Sequence, residues 1–264
     1  MVWTPDKTLA RYRTLDGQAF WNLLIAIVLL VTVIVGASAR AEPPTPQELL
    51  DRSIVYHDPD GRFLTESHRL VFAESRPNGP DRRTEALIDV AGERFEIVRR
   101  GEHTVAGVWA PDTCEMTLDG RSEVTAAERE EHHPTCERLT LLRNYYTYLW
   151  GLPMKLRDPG TQLGRVTATT LKGPGSAPAL PVYDLRVTYE EEVGGDIWYF
   201  YFDRETYALV GYRFYHDEAK NDGEVIYLDG EVAAVGLRLP KARTWYTHED
   251  DKLLGTDTLL EVRK

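Results

Sequence analysis

The chain is predicted to be mainly β with inserted helices, an α+β protein built on one strongly curved antiparallel sheet, or half-open β-barrel, of about 10–11 strands. Two stretches of alternating apolar and polar residues carry that expectation, one from Thr65 to Trp109 and one from Gly164 to the C-terminus, each cut by turn-forming residues. Helical segments, one ahead of the first stretch and one or two between the two, complete the pattern. So many sequential strands do not lie flat as an open sheet, hence the expected curl.

The first 41 residues differ in character from the rest of the chain. Leu23 to Val35 is apolar at every position but Thr32, Lys7, Arg11 and Arg13 precede it, and Ala39-Arg40-Ala41 has the A-x-A form of a cleavage site. Residues 1–41 therefore read as a secretory signal peptide or as a retained membrane anchor. The second reading arises because Phe20 to Ala39, though interrupted by Asn22, approaches the ~20 residues a spanning helix needs. Both readings export the rest of the chain to the periplasm, since the basic flank stays inside. Residues 42–46 form a Pro-rich linker and residues 47–264 a single domain.

After the linker, Gln47 to His57 carries Leu49, Leu50, Ser53 and Ile54 on one helical face, with Thr45 and Glu48 spaced as a capping box and Pro46 in the first turn. Asp58-Pro59-Asp60-Gly61 ends that helix. The first meander comes next, with hairpin turns expected at Pro77-Asn78-Gly79-Pro80, Ala91-Gly92-Glu93 and Arg100-Gly101-Glu102. Thr125 to Leu149 is helical, capped by Thr125 and Glu128, with Leu139, Leu142, Tyr145, Tyr146 and Leu149 recurring at spacings of three and four, and stopped by Gly151 and Pro153. Later strands are separated by Gly194-Gly195, Asp203-Arg204-Glu205, Asp222-Gly223, Asp229-Gly230 and Pro240.

Ile197-Trp198-Tyr199-Phe200-Tyr201-Phe202 is apolar or aromatic on both pleat faces, so each side of that strand is covered by core or lines a cavity. Trp198, Phe200, Tyr212 and Phe214, with Leu142 and Tyr146 from the facing helix, are the candidate ligand-binding residues of an apolar cavity. The two cysteines, Cys114 and Cys136, both lie in the exported part and are expected to form a disulfide, since no C-x-x-C spacing points to redox or metal chemistry.

The order of elements resembles the half-barrel fold of the periplasmic lipoprotein carriers LolA and LolB. The segments Asn144 to Lys155, Asp196 to Asp203 and Leu253 to Asp257 resemble the DUF6503 family of exported bacterial proteins, over roughly Glu48 to Leu259. The resemblance implies the LolA-like fold; it carries over no activity.

No G-x-S-x-G or H-E-x-x-H occurs, and the seven histidines are scattered. His57-Asp58 with Asp60, His132-His133 and His216-Asp217-Glu218 bring metal-ligand types together, yet each fits a turn or loop, so no metal, cofactor or catalytic residue is assigned. The whole chain has a formal net charge of −11; residues 1–41 hold four basic and two acidic side chains, so the remainder stands at −13. Such acidity disfavours nucleic acid and anionic lipid surfaces, leaving the N-terminal segment as the expected membrane contact. The expected function is that of a non-enzymatic envelope protein holding a lipid or other apolar ligand. The alternative is a structural protein that meets another envelope protein.

Overall fold

The computed structural model describes residues 42–264 apart from Ser176. The proposed leader or anchor, including the segment 20–39, lies outside those residues. Among the described residues, no helix is long and apolar enough to cross a membrane.

Helix α1 (Pro46–His57) starts on the expected capping box, the Thr45 hydroxyl accepting from Glu48 N–H and the Glu48 carboxylate accepting from Thr45 N–H. A short turn of helix, α2 (Arg62–Thr65), leads into five strands: β1 (Ser67–Arg76), β2 (Gly79–Asp89), β3 (Arg94–Arg100), β4 (Thr104–Ala110) and β5 (Thr113–Leu118). Helices α3 (Ala126–His132) and α4 (Cys136–Trp150) and a 3-10 turn (Met154–Arg157) come after them. Seven strands complete the chain: β6 (Thr161–Leu171), β7 (Leu180–Tyr189), β8 (Ile197–Asp203), β9 (Leu209–Tyr215), β10 (Glu224–Ala234), β11 (Leu237–Thr247) and β12 (Leu253–Arg263). All twelve form one antiparallel sheet in the order β5-β4-β3-β2-β1-β12-β11-β10-β9-β8-β7-β6. The last strand thus pairs with the first, and the two edges, β5 and β6, are joined in sequence through the helices.

The curvature is evident from what α4 touches. Leu139 lies against Gly107 of β4, Tyr146 meets Phe72 of β1 at 5.3 Å between ring centroids, and Tyr148 meets Trp198 of β8 at 5.7 Å. In a flat sheet β4 and β8 would be roughly 38 Å apart at ~4.8 Å per strand, whereas Leu139 and Tyr148 are only about 14 Å apart along a helix ~10 Å wide. The sheet therefore wraps α4, whose buried face of Leu139, Leu142, Tyr146, Leu149 and Trp150 fills the concavity. A Cβ at Gly107 would sit 2.7 Å from a Leu139 methyl, so a side chain there would displace Leu139 from its place in the concavity.

Twelve strands replace the expected ten or eleven, for two reasons. β5 and β6 escape the sequence pattern because they are the edges: β6 buries only Val166 and Leu171 among mostly polar residues, so its alternation is weak. Conversely, Asp229-Gly230 and Pro240 are not breaks. Gly230 lies inside β10 at φ +62, and Pro240 lies in β11 ahead of Ala242–Tyr246, the residues that pair with β12. The real turn is Val235-Gly236, both at positive φ, between Ala234 and its partner Leu237.

Two polar arrangements lock helices to the sheet. His57 of α1 donates from Nδ1 to the Arg238 carbonyl (2.6 Å) and accepts at Nε2 from Leu209 N–H (2.9 Å), which fixes it as the neutral tautomer; burial holds its pKa below the usual value. Glu74 of β1, only 2% exposed, accepts from the Thr84 hydroxyl (2.5 Å) and the Tyr146 hydroxyl (3.0 Å). Its carboxylate also faces Arg76, Arg82 and Arg99 at 3.4, 3.5 and 3.7 Å. Nearby, Arg243 of β11 donates to the Leu149 carbonyl (2.7 Å) and lies over the Trp150 ring. Finally, Cys114 of β5 and Cys136, the first residue of α4, are joined by a disulfide.

Candidate functional site

Among the described residues, the helix that fills the concavity leaves an opening beside it. The face of α4 next to its buried stripe, Arg143, Asn144, Thr147 and Tyr148, looks into a half-open cleft of about 540 Å³. One wall comes from the β2–β3 hairpin and Trp109 of β4; the other comes from the β7–β8 hairpin, with Tyr189, Val193 and Trp198; Lys155 and Asp158 close one side. The volume is in the range of small-molecule sites.

Aromatic rings make the walls rigid. Trp198 is stacked parallel to Phe200 (5.8 Å, 8°), and also packs on Phe214 (5.0 Å) and Tyr212 (5.9 Å). Across the cleft the Arg143 guanidinium lies over the Trp109 ring, 3.6 Å from its centroid. The hydroxyls of Tyr148 and Tyr189 meet in a hydrogen bond, and burial is the main cause that raises both pKa values, that of Tyr189 to about 12.

The charges at the cleft are mostly used up locally. Arg94 pairs with Glu96 (2.7 Å), Lys155 with Asp158, and Asp196 with His216 (2.7 Å). Arg143 is different: among the described residues it enters no ion pair, its hydrogen bonds going to the neighbouring Asn144 side chain (2.8 Å from Nη2), and burial lowers its pKa. A partly desolvated cation therefore sits at the edge of an aromatic surface.

The structure distributes the six residues singled out from the sequence. Trp198 lines the cleft. Phe200, Tyr212, Leu142 and Tyr146 are buried in the core, and Phe214 packs half-buried against it. The space expected between these strands and the helix is occupied by the α4 side chains, so the opening lies beside the helix instead of beneath it. Sequence reasoning missed Trp109 and Tyr148 as lining residues. A signal for Tyr148 was present: Asn144, Thr147 and Tyr148 recur at spacings of three and four, one step round from the buried stripe. His57 serves packing, His132 lies 4.6 Å from the His103 ring, and among the described residues no group of three His, Cys, Asp or Glu is arranged to hold a metal.

Fold and site together define an antiparallel half-barrel, filled by one helix, with an aromatic-walled cleft at its side. The chain belongs to the DUF6503 family, a family of unknown function, whose pattern matches residues 24–262. No curated protein matches it. Solved structures similar to the chain include a LolA superfamily protein from Nitrosomonas europaea, at 12% identity and TM-score 0.46, covering 84% of this chain and 94% of that one. A domain named for outer membrane lipoprotein sorting, from Vibrio parahaemolyticus, is similar at 10% identity and TM-score 0.42, covering 82% and 89%. A DUF1329 family protein from Desulfovibrio piger is similar at 8% identity and TM-score 0.46, covering 84% and 93%.

Proposed function

We propose that the chain is an exported binding protein of the cell envelope, without catalytic activity of its own, that holds a lipid or similar apolar chain in the cleft beside α4. The observation that carries this reading is the cleft itself: about 540 Å³, walled by Trp109, Tyr148, Tyr189 and Trp198, on a fold whose concavity is otherwise filled. Desolvating an apolar chain against those rings supplies the driving force, at roughly 25 cal/mol per Å² of apolar surface covered. Phe200, Tyr212 and Phe214 serve this site from behind, fixing the Trp198 ring, while Leu142 and Tyr146 hold α4 in place. Arg143 offers a charged partner for a polar head at the cleft's edge.

The test is solvent extraction of the full-length chain, purified in detergent, followed by mass spectrometry, with Trp198→Ala treated in parallel. The expected result is a defined co-purifying amphiphile, reduced several-fold in the variant. Equal recovery from both proteins, or none from either, overturns the reading.

A further inference from the structure

On the face of the sheet turned away from α4, a second hollow has no part in the cleft. Alternation along the strands puts Trp198, Phe200 and Tyr212 on the inner face, and Asp184, Tyr199, Tyr201, Arg213 and Tyr215 on the outer one. With Glu218, these outer residues line a shallow hollow of about 260 Å³ that is largely open to solvent. Register fixes the layout: Asp184 of β7 is opposite Tyr201 of β8, and Tyr199 of β8 is opposite Arg213 of β9.

Most polar groups around the hollow are already partnered. Glu218 accepts from the Tyr199 hydroxyl and pairs with Arg186 at 3.3 Å. Arg213 uses Nη1 on the Tyr215 hydroxyl (3.1 Å) and on His248 Nε2 (2.6 Å), with its guanidinium 5.5 Å from the Tyr201 ring. Two atoms are left over. Asp184 Oδ1 and Arg213 Nε are both buried and have no hydrogen-bond partner. Among the described residues the carboxylate and the guanidinium line one hollow without forming an ion pair with each other.

Desolvated charges are normally paired and hydrogen-bonded, because a buried polar atom without a partner costs more than an ordinary hydrogen bond returns. Here a hydrogen-bond acceptor bearing negative charge and a donor bearing positive charge stand apart around a small, open hollow. We propose that this hollow is a binding site for a small zwitterion, whose ammonium group pairs with Asp184 and whose oxyanion pairs with Arg213, over a floor of tyrosine rings. A neutral ligand would satisfy the hydrogen bonds and leave both charges uncompensated. A singly charged ligand would compensate one of them. Burial supports the same picture: it raises the Asp184 pKa to about 6 although Arg213 and Arg165 pull it down, as expected of a carboxylate that lacks a close cation.

An ammonium and an oxyanion a few bonds apart occur both in free amino acids and in a phosphoethanolamine head group, so L-alanine and O-phosphoethanolamine, titrated separately into the full-length chain by calorimetry, distinguish the two sources. Saturable binding of at least one is expected. Each of Asp184→Asn and Arg213→Gln is expected to weaken it by about tenfold or more, the scale of one charge-assisted contact. Should a variant fail to fold, the same subtraction is made on the ligand: N-acetyl-L-alanine and L-alaninamide for the first source, phosphate and ethanolamine for the second, each expected to lose binding to the unaltered protein. No binding of either zwitterion, or binding indifferent to these changes, overturns the proposal. Neither outcome bears on the lipid reading of the cleft, which uses the opposite face.

Discussion

The Arg143 guanidinium of α4 lies over the indole of Trp109 on β4, 3.6 Å from the ring centroid, and so ties the roof of the half-barrel to the sheet at the cleft's edge. The contact replaces the ion pair that a cation usually makes, and its strength is set by partial desolvation of the pair. A double-mutant cycle on Arg143→Gln and Trp109→Leu, read by urea unfolding, is expected to give a coupling of about 0.5–1 kcal/mol. Additive single changes would show that the stacking holds nothing together.

Trp198 and Phe200 are neighbours on one face, yet they are expected to respond differently. Phe200 is fully buried, so Phe200→Ala should cost about 3–5 kcal/mol of stability. Trp198 is half-buried at the cleft, so Trp198→Ala should reduce bound amphiphile far more than it lowers the unfolding midpoint. Parallel unfolding and lipid-recovery measurements on the two variants check this; equal stability loss from both would assign Trp198 to the core alone.

Glu74→Ala is predicted to be among the most damaging single changes in the sheet. It would leave Arg76, Arg82 and Arg99 facing one another without their shared carboxylate and would free the Tyr146 hydroxyl that anchors α4. Breaking a buried ion pair from one side costs about 3–5 kcal/mol. Urea unfolding measures the loss, and a cost below about 1 kcal/mol, the size of a surface pair, would contradict it.

His57 gives a pH dependence of definite sign. Its folded pKa lies below 6.5, so the unfolded chain binds the proton first as pH falls. The stability it contributes is complete above pH 6.5 and is lost on acidification through 6.5 towards the folded value. Asp184 acts oppositely: its carboxyl titrates at about 6 in the fold against 3.8 as a reference, so its ionisation subtracts stability as pH rises through that window. The comparison is therefore between the thermal midpoints of the unaltered protein and of His57→Gln from pH 5 to 7. The variant is expected to be less stable throughout, with the gap narrowing towards pH 5; a gap constant with pH would assign His57 only its hydrogen bonds.

Local chemistry was legible where a residue type answers to a single backbone demand. The Thr45–Glu48 and Thr125–Glu128 boxes start their helices as expected, Gly151 ends α4, and the turn at Gly92 lies between β2 and β3. Val235 shows the limit: a β-branched residue at φ +49 gives no turn signal, so the sequence points to Asp229-Gly230 and Pro240 instead of the true β10–β11 hairpin. The site was less legible than the fold, because alternation tells which residues share a face but not what lies against it. Phe200 and Trp198 share one face, and only the path of α4 makes one of them core and the other lining.

The bond between Cys114 and Cys136 joins an edge strand to the start of α4, while the residues just past its other end, Leu152 and Met154, are themselves buried. A rod fastened at both extremities does not swing aside like a flap. A ligand of the kind proposed would therefore enter the cleft from its side, past Tyr189 and Trp198, with α4 left in place.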